Sequence, residues 1–205
     1  MEQIVLVGDS VFDNQTYVGD DPDVIAHLRG MMPKDWTATL CAVDGSTTET
    51  LPAQVGRIPK DATYIVASVG GNDALGHLAL LFDDTQSGAS LLQSLAEIGE
   101  DFAGSYNRAI LGLQALGKPM CLCTIYNGNL AEELSGPAQA AVAVFNDKIY
   151  MVANELGLPV LELRRICTEP SDYANPIEPS SKGGAKIAKA ILLHIRSSLA
   201  HRRNR

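Results

Sequence analysis

The sequence predicts a three-layer α/β/α domain with a five-stranded parallel sheet at its centre. Two observations predict it: five short, nearly continuous apolar runs, and longer stretches of helical periodicity between them. Strands covered on both faces read as unbroken apolar runs rather than as alternating ones. Strand and helix taken in turn along a chain are the pattern of a parallel sheet with helices on both sides. No repeat, linker or low-complexity stretch interrupts the 205 residues, so a single domain is expected over 1–205.

The elements follow in order. QIVLVG (3–8) is the first expected strand. Asp21-Pro22 reads as a helix start, an Asp cap with Pro at the first position, leading into DVIAHLRGMM. TATLCAV (37–43) and TYIVASVG (63–70) are the second and third strands. A long helix is predicted over 90–116, with Gly117 as its stop signal. KPMCLCTIY (118–126) is the fourth strand, and a helix over about 135–156 follows, closed by Gly157. LPVLEL (158–163) is the fifth strand, and a last helix spans roughly 181–200. Their apolar faces are those that a monomer's own core would use.

Composition narrows the function. With 46% hydrophobic and 20% charged residues the chain is globular, and a formal charge of −8 argues against a nucleic-acid partner. The one basic cluster is the tail, Arg196 to Arg205, which reads as a solubilising helix end. No apolar run reaches membrane-spanning length, so no membrane partner is expected. No signal peptide precedes IVLV, and Cys41, Cys121, Cys123 and Cys167 form no C-x-x-C pair; a reduced, cytoplasmic protein is expected. Cys121 and Cys123 share one strand face, but without His or Cys partners at ligand spacing they read as core packing, not as a metal site.

Three motifs fall at the C-terminal ends of expected strands, where open parallel sheets place their functional residues. GDSVFDN (8–14) follows the first, with Gly8 for a tight turn and Ser10 at the mouth of the loop as a nucleophile or a turn cap. AVDGSTTETL (42–51) follows the second. There Gly45 lets its backbone N–H approach a ligand, and Ser46, Thr47 and Thr48 read as caps of the next helix. SVGGNDAL (68–75) follows the third, and Asn72 presents an amide donor. A side-chain amide beside a backbone N–H and a serine hydroxyl can stabilise an oxyanion, whereas GGND alone is an ordinary turn.

Together these motifs resemble the SGNH/GDSL hydrolase superfamily: GDS at 8–10, Gly45 in DGSTT and Gly70-Gly71-Asn72-Asp73 match its first three blocks. The resemblance implies a flavodoxin-like sandwich and hydrolysis of a small-molecule ester or acyl group, with no metal or organic cofactor. It implies Ser10 as nucleophile, and the Ser10 N–H, the Gly45 N–H and the Asn72 side chain as an oxyanion hole. Transfer of the acyl group to another alcohol would use the same site. With no long insertion between the blocks, the pocket is expected to be small and open.

The last block departs from that pattern. Where the family has an Asp and, three residues on, a His, this chain has Asn175 and Glu178, although Pro179 and Gly183 keep the frame. No histidine lies between 78 and 193. An ordinary Glu titrates at about 4.3 against about 6.5 for His, so it is the weaker base unless burial raises it. Asn175 avoids a like-charge conflict with Glu178 and is expected to donate a hydrogen bond to its carboxylate.

Three readings follow: Glu178 is the base; His77, five residues beyond Asn72, takes over; or the pocket binds without efficient catalysis. His27, His194 and His201 read as surface or packing residues. Among the remaining rim residues, Asp13 and Glu169 have no assigned partner, and Tyr173 is expected to pack. Asp9 and Asp73 are expected to bond within their own loops, and Asp172 is close enough in sequence to raise Glu178 if the loop folds back.

Overall fold

Five parallel strands, β1 (Gln3–Gly8), β2 (Thr37–Leu40), β3 (Tyr64–Ser68), β4 (Met120–Cys123) and β5 (Val160–Leu161), pair in the order β2-β1-β3-β4-β5. The structure is a computed structural model that describes residues 1–82, 85 and 87–203. Of the basic tail, the side chains of 202 and 203 and all of 204–205 lie outside the described residues. The helices are α1 (Gln15–Val18), α2 (Val24–Met31), α3 (Pro52–Val55), α4 (Gly71–Leu75), α5 (Gly88–Gln114), α6 (Glu132–Glu155) and α7 (Ser181–Arg203).

Alternate residues of β1 feed opposite faces of the sheet. Ile4 and Leu6 join one core with Val24, Ile25 and Leu28 of α2 and Ile187, Ile191 and Ile195 of α7. Val5 and Val7 join the other with Phe102, Tyr106 and Ile110 of α5 and Phe145 and Ile149 of α6. Both faces of the central strands are therefore dry, which accounts for their unbroken apolar sequences. Cys121 and Cys123 lie in the α2/α7-side core, and all four cysteines are buried and free. Among the described residues, no helix is long and apolar enough to cross a membrane.

β1 fills its apolar run, and the other four strands are shorter than theirs. β2 stops at Leu40 because the N–H groups of Cys41 and Ala42 both donate to Leu6 O, which ends the regular ladder. β5 keeps two residues at the sheet edge before Glu162 turns the chain into a 3-10 helix, its carboxylate accepting from Arg164 N. The second helix is capped by Asp23, which accepts from Ala26 N, and not by Asp21. The expected helix over 135–156 begins three residues earlier and runs through Pro137. The short helices α1, α3 and α4 and a 3-10 turn over Leu78–Phe82 are too brief for a periodic signal.

The strand order reverses direction about β1, which pairs with β2 on one side and β3 on the other. In doubly wound sheets that point opens a crevice at the C-terminal strand ends. Ser10 follows β1 and Asn72 follows β3, so the two motifs face each other across it.

Candidate active site

Ser10 sits in a turn immediately after β1, where Phe12 N and Asp13 N both donate to Asp9 O and Val11 N donates to Asp9 Oδ1. The turn leaves Ser10 N–H without an acceptor among the described residues. Gln54, reaching in from α3, holds the base of the turn. Its Oε1 accepts from Gly8 N at 2.8 Å, and its Nε2 donates to Gly8 O at 2.7 Å and to Ser46 Oγ at 3.0 Å. One buried side chain thus pairs with the glycine as a neighbouring strand would.

The second and third motifs are tied to each other. Asn72 Nδ2 donates to Ser46 O at 3.0 Å, which uses one amide hydrogen and leaves the other free to bond. Asp73 accepts from Thr48 N and, at 2.6 Å, from Thr48 Oγ1. Asp73 therefore bridges two loops, contrary to the expectation that it bonds within its own. Thr48, Ser46 and Thr47 cap no helix: α3 starts at Pro52 with no side-chain cap. Asp13 Oδ2 accepts from Asp44 N at 2.9 Å and positions the adjacent Gly45, whose N–H also lacks an acceptor among the described residues.

The last block closes over this crevice. Ser10 Oγ donates to Glu178 Oε1 at 3.0 Å, and each residue is only 6% exposed. Three long-range hydrogen bonds clamp the loop: Tyr126 OH to Ile177 O, Asn129 N to Pro176 O, and Asn14 Nδ2 to Pro179 O. Asn146 of α6 fixes Tyr126 in turn, because its amide pairs with both the N–H and the C=O of Ile125. Burial raises the Glu178 carboxyl, the Ser10 hydrogen bond opposes that, and the charge of Asp44 adds to it.

No protein-family model matches the chain, and a search among curated proteins finds no relative. Solved structures are similar over nearly the whole length. An extracellular lipase from Streptomyces rimosus matches with a TM-score of 0.74 at 13% identity, covering 93% of this chain and 98% of the lipase. A member of the lipolytic G-D-S-L family from Veillonella parvula matches at 0.69 and 14% identity, covering 94% and 97%. The fold is that of the GDSL/SGNH hydrolases. A catalytic mutant of an acetylxylan esterase from Geobacillus stearothermophilus agrees at 0.66 and 16% identity, covering 95% and 94%.

Within this SGNH fold Ser10, Asn72, Asn175 and Glu178 all line one cavity; Gly45 is not among the lining residues and adjoins Ser46, whose carbonyl Asn72 grips. Two expectations fail in the last block. Asn175 does not donate to the Glu178 carboxylate; its Oδ1 accepts from the N–H groups of Ile177 and Glu178, both at 2.9 Å. A side chain closing a turn on its own backbone is a local contact and wins over the longer reach. Glu178 Oε2 is thereby left buried with no partner among the described residues. Asp172 does not act on Glu178 either. It is fully buried and holds Lys186 and the N–H groups of Thr168 and Glu169, and Asp44 is the neighbour that raises Glu178.

His77 lies exposed on the cavity rim and hydrogen-bonds to neither Ser10 nor Glu178. His27 bonds Ser181, His194 bonds Tyr64 and His201 bonds Ser197 O, all away from the cavity. Glu169 pairs with Lys182 and Lys186, and Tyr173 packs edge-on against Tyr126.

The pocket is larger than the sequence suggested, with a volume of about 590 Å³. Its walls are leucines of α4 and the following 3-10 turn (Leu75, Leu78, Leu81) together with Leu95, Val142 and Phe145 of α5 and α6. No insertion was needed to build it. The short segment between β3 and α5 supplies one wall.

Proposed function

We propose that the protein hydrolyses esters of an apolar acyl chain, with Ser10 as nucleophile and Glu178 as base. The observation that carries this reading is the Ser10–Glu178 hydrogen bond at the head of a leucine-lined cavity. In acylation Ser10 Oγ bonds to the carbonyl carbon and its proton passes to Glu178. The tetrahedral oxyanion is met by the unpaired N–H groups of Ser10 and Gly45 and the spare amide hydrogen of Asn72. As the intermediate collapses, the bond to the leaving oxygen breaks and Glu178 returns the proton to it. Water then attacks the acyl-serine, with Glu178 taking the water's proton and giving it to Ser10 Oγ, which releases the acid. The reading needs no metal or organic cofactor. A carboxylate raised by burial suits the role better than an ordinary one, because its proton affinity lies nearer to operating pH.

The structurally similar lipase and acetylxylan esterase support an ester as substrate. Among esters, the cavity favours a chain over an acetyl group, because an acetyl would leave most of its apolar wall uncovered. Each buried methylene contributes about 0.8 kcal/mol, so kcat/KM for nitrophenyl esters is expected to rise about fourfold per added CH₂ until the cavity is filled. A serine-directed alkyl phosphonate is expected to label Ser10. A series that peaks at acetate would overturn the chain specificity, and an inert protein whose Ser10 takes no label would overturn the hydrolase itself.

A further inference from the structure

Asp9 and Glu178 are two buried carboxyl groups in the wall of one cavity, and Asp9 directly precedes the serine that Glu178 bonds. Asp9 is 2% exposed. The titratable groups that face it are Glu178 from the last block, Asp73 of α4, Tyr106 of α5, Cys123 of β4 and Tyr126 beyond it. None of them is a cation. Among the described cavity-lining residues the one basic side chain is His77, exposed at the rim. Two buried carboxylates without a counter-ion cannot both ionise cheaply, so one proton stays in the site.

The hydrogen bonds decide where it stays. Glu178 Oε1 receives the Ser10 hydroxyl, a bond that favours the anion. Asp9 Oδ1 receives the Val11 N–H at 3.1 Å, and the backbone N–H of Asp9 itself gives a weaker contribution of the same sign. Asp9 Oδ2 has no hydrogen-bond partner among the described residues and faces Gly71, where a side-chain Cβ would stand 3.7 Å away. We propose that Asp9 serves the site as an uncharged carboxylic acid that retains one proton, so that Glu178 is the single anion beside Ser10. Asp9 is in this sense a positioning residue for charge: its proton is neither given up nor replaced while the Ser10 proton moves to Glu178 and on to the leaving oxygen. The role within turnover rests on the reading of Ser10 and Glu178 given above.

The electrostatics agree. Burial, opposed by the Val11 hydrogen bond and reinforced by the charges of Glu178 and Asp73, pushes Asp9 up to about 8. The charge of Glu178 is among the causes that raise Asp9, whereas Asp9 is not among those that raise Glu178. Above that point a second carboxylate would oppose both the anionic base and the forming oxyanion.

Isotope-edited infrared spectroscopy of the whole protein tests the placement without needing turnover. A protonated-carboxyl band is expected at about pH 6, lost on titration through about pH 8 and missing from Asp9→Asn, which keeps a neutral side chain of the same shape. In the pH profile of kcat/KM, wild type is expected to fall about tenfold per unit above pH 8, and Asp9→Asn to lack that fall while staying within about tenfold of wild type near pH 6. A carboxylate band for Asp9 at neutral pH overturns the proposal. So does an Asp9→Asn variant that keeps the alkaline fall, or one that melts like wild type yet is inactive at every pH. A neutral Asp9 in a protein that never cleaves an ester would sink the hydrolase reading alone.

Discussion

Replacing Glu178 with Gln is expected to lower ester turnover by about 10²–10⁴-fold while leaving the protein folded, the usual range for losing a general base. Gln fills the same space and its amide can still meet Ser10 Oγ, but it cannot take the proton. The loop does not depend on the carboxylate, because Tyr126, Asn129 and Asn14 hold its backbone at residues 176, 177 and 179. The effect on stability has the opposite sign. A carboxyl raised by burial supports the fold fully below its unfolded value and loses that contribution as pH rises through the folded one. Glu178→Gln removes that loss, so the variant is expected to melt at or above the wild-type temperature at neutral pH. His77→Ala, at an exposed rim position with no bond to Ser10, is expected to keep activity near wild type. The double substitution Asn175→Asp with Glu178→His tests the frame, since an Asp at 175 can still accept the Ile177 and Glu178-position N–H groups through one oxygen and offer the other to an imidazole. It is expected to exceed Glu178→Gln in turnover. Full activity in Glu178→Gln with loss in His77→Ala would move the base to the histidine.

The parts of this site that were legible in the sequence are those coded locally. Ser10, Gly45 and Asn72 each stand within a few residues of a strand end, and a parallel sheet converts three strand ends into one rim. Glu178 was legible because Pro179 and Gly183 keep the register of a block whose chemistry has changed. Gln54, Asn14, Tyr126 and Asn146 were not singled out for the site. Asn14 stood inside the GDSVFDN motif, yet its partners are Pro179 O and Val24 N, 165 and 10 residues away. Gln54 carried no signal at all, since nothing in its neighbourhood says that a side chain will act as a strand for Gly8. Asn175 turns on its own backbone instead of reaching the Glu178 carboxylate, a local contact that an Asn-Pro pair favours. The size of the pocket was not legible, because leucines at 75, 78 and 81 look the same in a sequence whether they fill a core or line a space.

Gly8→Ala is expected to cost about 4 kcal/mol or more, beyond the range of ordinary single substitutions. A Cβ at this position would lie 1.7 Å from Ser68 O and 2.6 Å from Ser68 C, and the backbone φ of +130° already disfavours any side chain. Neither partner can yield. Gly8 is in register with Ser68 across the β1–β3 pair, Asp9 N donates to that same Ser68 O, and Gln54 grips both the N–H and the C=O of Gly8. A shift large enough to relieve the contact would part β1 from β3 at the point where the sheet presents Ser10. Total stabilities of about 5–15 kcal/mol leave little folded protein after such a loss. Gly45→Ala is the matched control: its φ of +77° is also left-handed, but no atom lies within 4 Å of the new Cβ. It is expected to cost only about 1–2 kcal/mol and to fold. Denaturant melts and soluble yield separate the two, and a Gly8→Ala protein that unfolds within a few degrees of wild type would mean that β1 and β3 do not meet as described. The comparison also isolates what the first glycine of GDS does. Gly45 needs only open space for its turn and its N–H, while Gly8 must let two strands touch directly beneath the serine, and that contact is what fixes Ser10 within reach of Glu178.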